Sequence, residues 1–145
     1  MEFQNYLAFL KKSEAVYQKF CQNVIRDWDL NATSFQVVMF LANHPQLNTA
    51  RDVCRMRGIK TGIASVAVEQ LIQMGYLQRK TDSNDRRIQR LYVTENAAGL
   101  VRQGREVQME FAAAITDALS PEEMAEYFRL TEKMMTRIDE MERSM

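Results

Sequence analysis

Gln70-Leu71-Ile72-Gln73-Met74-Gly75-Tyr76-Leu77-Gln78-Arg79-Lys80, then Thr81-Asp82-Ser83-Asn84-Asp85-Arg86-Arg87, then Ile88-Gln89-Arg90-Leu91-Tyr92-Val93-Thr94 is the stretch on which the fold turns. A helical pattern starting at Thr61 runs to Met74 and closes at Gly75, a residue suited to the left-handed turn after a helix. Residues 76–80 and 88–93 flank a polar turn, and the second of these segments alternates apolar and polar as a half-buried strand does. The pattern predicts a β-hairpin that is basic on both arms and at its tip.

Working back from the hairpin, Gly58-Ile59-Lys60 is a tight turn between two helices at helix-turn-helix spacing. Thr49 caps a short third helix with Asp52 at its N3 position. Thr33 or Ser34 caps a second helix carrying Val37, Val38, Phe40 and Leu41, which stops at Asn43-His44 because Pro45 disfavours helix in the residue before it. Phe3, Tyr6, Leu7, Leu10, Tyr17, Phe20, Val24 and Trp28 recur at helical spacing, predicting a long first helix over 3–28, broken at Leu30-Asn31-Ala32.

Beyond the hairpin, Thr94 caps a fifth helix whose stripe of Leu100, Val107, Phe111, Ile115 and Ala118 runs to about Leu119. Ser120-Pro121-Glu122-Glu123 is a complete helix start, with a serine cap, proline in the first turn and a capping-box glutamate. The last helix carries Met124, Tyr127, Phe128, Met134, Met135, Ile138 and Met141, and a domain this small leaves the terminal stripes without partners. The fold class expected is mainly α with a small hairpin wing. Helix, helix, tight turn, helix and basic hairpin is the order of a winged helix-turn-helix, whose second motif helix enters the major groove of DNA.

Charge supports that reading by its distribution. The 145 residues have zero formal net charge, yet 51–90 hold nine basic against four acidic residues, 91–145 carry a net −5, and 1–30 are neutral. A basic centre between neutral and acidic flanks fits a centre that meets an anion and ends that meet each other. The opening residues lack a basic leader and no apolar run is long enough to span a bilayer, so the expected location is the cytoplasm, with no membrane partner.

The quoted stretch resembles the MarR family of bacterial transcriptional regulators, in detail from about Ala32 to Thr94 and in outline over nearly the whole chain. The resemblance implies a DNA-binding lobe over 31–94 and dimerisation helices over 1–28 and 95–145 of a single regulator. It implies a homodimer on double-stranded DNA, at a pseudo-palindromic operator with half-sites ~10 bp apart. It also implies that Arg87 of the Asp85-x-Arg87 wing motif enters the minor groove while Asp85 holds it in position. A narrow minor groove concentrates negative potential, and a guanidinium already fixed by a carboxylate has less entropy to lose.

In the recognition helix, Ala64, Ala67, Val68 and Leu71 match the family's core positions. Gly62, Ile63, Ser65, Val66, Glu69 and Gln70 then fall near the DNA side, where arginine is absent. A second phase buries Ile63 and exposes Ala64, and the sequence leaves both open. Lys60, Thr61, Arg79 and Lys80 are placed to hold phosphates and Arg86 is a further DNA-binding residue of the wing, while Ser65, Gln70, the wing and DNA shape carry base choice. Many members bind a small aromatic or amphipathic effector in a crevice between dimer helices and DNA-binding lobe. Tyr17, Phe20, Trp28 and Met39 lie on segments that fit such a crevice, and their helical spacing equally fits core packing.

Enzyme chemistry is not indicated. His44 is the single histidine, without a pattern for a nucleophile and an orienting acid, and neither a metal-ligand spacing nor a glycine-rich phosphate loop occurs. The expectation is therefore no cofactor and no metal. Cys21 and Cys54 read as buried, inert thiols, against the oxidant sensing of some relatives. The functional expectation is a dimeric repressor relieved by a ligand; the alternative is a winged-helix module that joins proteins and has lost specific DNA binding.

Overall fold

The computed structural model describes residues 2–145. In chain order the elements are α1 (Phe3–Asp27), α2 (Ala32–Asn43), α3 (Ala50–Arg57), α4 (Thr61–Gln73), β1 (Leu77–Thr81) and β2 (Gln89–Val93). A 3-10 turn (Glu95–Ala97), α5 (Ala98–Thr116) and α6 (Pro121–Ser144) complete the chain. β1 and β2 pair antiparallel from Leu77↔Val93 to Thr81↔Gln89, so the chain is mainly helical with one hairpin, as its pattern predicts.

One compact unit ends at Gln108 and a second spans Met109–Met145. In the first, α2 is buried almost all round: Phe35 and the run Val37–Leu41 all lie in the core, which makes α2 the central helix. Val53 of α3, Leu71 of α4, Leu77 and Leu91 of the strands, and Leu100 of α5 join the same cluster. Two glycines of α5 admit large neighbours. A Cβ on Gly104 would stand 2.4 Å from the Met39 sulfur, and one on Gly99 would stand 3.0 Å from the Trp28 ring.

The helix ends follow local chemistry. Thr49 and Asp52 form a reciprocal capping box, and Gly58, at φ +63°, ends α3 in the left-handed conformation. The cap of α2 differs from expectation. Asn31, not Thr33 or Ser34, accepts the Ser34 amide at 2.8 Å, because the helix starts earlier and Ser34 is buried. Thr94 also departs: its hydroxyl donates to the Gly75 carbonyl, tying the end of β2 to the end of α4, and a 3-10 turn intervenes before α5. α5 stops at Thr116, short of Leu119.

In the second unit the Ser120 and Glu123 capping box starts α6 as its sequence specifies. α6 buries no residue along its whole length, and Tyr127, Phe128, Met134 and Ile138 are exposed.

Candidate nucleic-acid interface

α4 resolves the open phase. Ala64, Ala67, Val68 and Leu71 face the core, and the two alanines let α4 pack closely on α2. Thr61, Gly62, Ile63, Ser65, Val66, Glu69 and Gln70 are all exposed, with Lys60 just before the first turn. Glu69 is the one charged residue of α4, and its carboxylate accepts a hydrogen bond from Arg79 of β1. Glu69 and Arg79 therefore arrive as a neutralised pair, although each was expected to face DNA separately. Lys80 lies over the Tyr92 ring, its ammonium 5.4 Å from the centroid.

Asp85 and Arg87 meet at the tip of the hairpin. The Arg87 Nε and Nη2 donate to the two Asp85 carboxylate oxygens at 3.1 and 3.0 Å, and the Arg87 amide donates to the same carboxylate. The guanidinium beside it holds the Asp85 carboxyl below its ordinary pKa, so the clamp stays ionised. The Arg87 side chain is nonetheless 90% exposed, so the fork is oriented while its outer face remains open to an anion. Arg86 is exposed beside it.

A second aspartate–arginine pair, which the sequence pattern does not single out, holds the hairpin where its strands run into the turn. Arg90 donates from Nε to Asp82 at 2.8 Å and from Nη1 to the Asn48 carboxamide oxygen at 2.9 Å. Asn48 is buried, and its carbonyl accepts the Leu91 amide at 2.7 Å, fastening β2 to the α2–α3 connection. Asp82 also accepts the Asn84 and Asp85 amides, which folds the turn. Arg90 and these amides hold the Asp82 carboxyl below its ordinary pKa. The available sequence signal was the Asp-x-Asn of an Asx-turn; Asn48 is too distant in sequence for spacing to reveal.

Of the four effector-crevice candidates, Met39, Trp28 and Tyr17 take part in packing and Phe20 does so least. Met39 lies in the core and Trp28 packs edge-on to Tyr76, its indole N–H donating to Gln103 at 2.9 Å. The Tyr17 hydroxyl accepts from Gln108 at 3.1 Å, and Phe20 is at the surface. A groove elsewhere, between the start of α2 and α4, is lined by Asn31, Thr33, Gly62, Ile63, Val66, Ala67 and Gln70, and none of the four lines it. His44 closes α2, stacked on Phe40 with Nδ1 at 3.1 Å from the Phe40 carbonyl oxygen.

Cys21 is buried and burial pushes its thiol up, away from the reactive thiolate. Cys54 is only partly buried, a departure from expectation, since α3 turns part of that position to solvent. Among the described residues, no three His, Cys, Asp or Glu side chains gather as a metal site, and no helix is long and apolar enough to cross a membrane.

Residues 28–88, the helix-turn-helix and most of the wing, match the sequence model of the MarR family. The transcriptional repressor MprA of Escherichia coli (strain K12) is 27% identical over 116 residues, covering 78% of this chain. The match spans 65% of MprA, so this chain accounts for just under two thirds of the length of its curated relatives. Among solved structures, the S. aureus MepR–DNA complex superposes with a TM-score of 0.72 at 20% identity, covering 90% of this chain and 94% of that one. A MarR transcriptional regulator from Methanosarcina mazei Go1 gives 0.78 at 15% identity, covering 97% and 94%. These likenesses establish the fold.

Proposed function

We propose that this chain is a regulator of the MarR type, similar over residues 28–88 to that family: a homodimeric, sequence-specific DNA-binding transcriptional regulator of the cytoplasm, a repressor and not an enzyme. The observation that carries the reading is Arg87: fully forked onto Asp85, yet 90% exposed at the end of a hairpin fastened to the core through Arg90 and Asn48. A solvated surface pair contributes little to stability, so its purpose lies in what it presents. In the proposed complex Arg87 enters the minor groove, Lys60, Thr61, Arg79, Lys80 and Arg86 hold phosphates, and Gly62, Ser65, Val66, Glu69 and Gln70 face the major groove. The bare apolar faces of α6 and α1 pair with a second copy, which supports reading 1–28 and 95–145 as dimerisation helices around a lobe at 31–94. The dimer then spans two half-sites of a pseudo-palindromic operator.

Relief of binding by a small aromatic or amphipathic effector belongs to the same proposal. Such a ligand acts by unequal affinity for two separations of the reading heads. The competing reading, a module that joins proteins, draws on the weakly charged outward face of α4. The deciding experiment is enrichment of random duplexes by the full chain, followed by salt-titrated binding beside Arg87→Ala. An enriched sequence whose binding weakens with salt and in the variant supports the regulator; neither effect supports the protein-joining module.

A further inference from the structure

We infer that Ile63 and Val66 select this protein's sites by the methyl groups of thymine in the major groove, an inference that rests on the regulator reading. Both side chains stand 51% and 60% exposed on a helix whose buried face is already complete with Ala64, Ala67, Val68 and Leu71. Packing therefore gives no reason for an isoleucine and a valine there. They line a groove with Gly62 and Gln70 of α4, Thr33 of α2 and Asn31, which caps α2. Gly62, beside Ile63 in the first turn, has open space where a Cβ would stand, so no side chain there crowds an approaching base edge.

The charged alternatives for base reading on this helix are closed by its own chemistry. No arginine or lysine lies between Thr61 and Gln73, so guanine finds no bidentate cationic fork. The carboxylate that would accept from cytosine, Glu69, is held by Arg79. Of the four bases only thymine shows a methyl group in the major groove, and its apolar surface matches Ile63 and Val66. Gln70, two turns along the same shoulder as Ile63, offers a carboxamide of the kind that pairs with adenine N6 and N7. Half-sites rich in A·T pairs, with thymines against α4, follow from this arrangement.

The test starts from the duplex enriched by the full chain from a random library. Each thymine is replaced in turn by deoxyuridine, which removes the methyl and keeps the pairing. At one or two positions per half-site, uracil weakens the wild type about three- to fivefold, the size of burying one methyl group. Ile63→Ala and Val66→Ala, exposed changes whose unchanged Tm verifies folding, bind the thymine and uracil duplexes alike. Equal wild-type binding of the two duplexes at every position overturns the inference and leaves the regulator reading standing, and so does a thymine preference kept intact in both variants. A library that yields no enriched sequence overturns both.

Discussion

Between Thr61 and Gln73 the outward side of α4 carries a single charge, already cancelled by Arg79, whereas the wing between Lys80 and Arg90 carries four cations, two of them paired with aspartates. The two regions adjoin in one lobe and offer nucleic acid opposite chemistry. Charge attracts every phosphate alike, and an apolar groove is indifferent to phosphate but sensitive to the shape of a base edge. In the proposed complex this contrast gives affinity to the wing and choice of sequence to the helix. It also separates two uses of one residue pair: Asp82 with Arg90 fixes where the wing points, and Asp85 with Arg87 fixes what it presents.

The strongest way to break the comparison is to remove the seat that α4 rests on. Leu71→Ala, at a fully buried position, should cost about 2–5 kcal/mol in chemical denaturation, and binding should fail for want of folded protein, with both regions lost together. Arg87→Ala should instead leave stability unchanged and weaken binding about tenfold on enriched and scrambled duplexes alike, with a salt dependence shallower by about one counterion. Arg90→Ala should produce a smaller loss than Arg87→Ala with an unchanged salt slope, since it loosens the wing without removing the exposed cation. Hydrogen exchange at the Asn84 and Asp85 amides should speed up in that variant.

The smallest effect lies outside both regions. Burial pushes the Tyr17 phenol from its ordinary 10.0 up to about 12, partly offset by the hydrogen bond from Gln108. The unfolded chain thus releases that proton first, and stability that is complete below 10.0 declines as pH rises toward 12. Tyr17→Phe should flatten this alkaline decline, followed by thermal melting, and leave DNA binding at neutral pH untouched.

Local chemistry was most legible where both partners are close in sequence. Thr49 with Asp52 and Ser120 with Glu123 were readable as spacings, Asp85 with Arg87 followed from the family resemblance, and each pairs in the structure. Asn31 was missed as a cap because Thr33 and Ser34 compete for the same role; burial of Ser34 decides it. The phase of α4 was undecidable because Ala64 and Ile63 are both apolar. The close approach of α4 to α2 selects the alanines for the inside. Arg90 with Asn48, and Glu69 with Arg79, join separate elements, and no periodicity encodes such a meeting.

Salt-titrated binding of the wild type and Arg87→Ala, each to the enriched duplex and to a scrambled one of equal composition, tests the division of labour most directly. The account predicts that the variant loses the same factor on both duplexes and keeps the wild type's preference between them, with a shallower salt slope. A variant that loses the preference, or one that binds both duplexes as the wild type does, would contradict it.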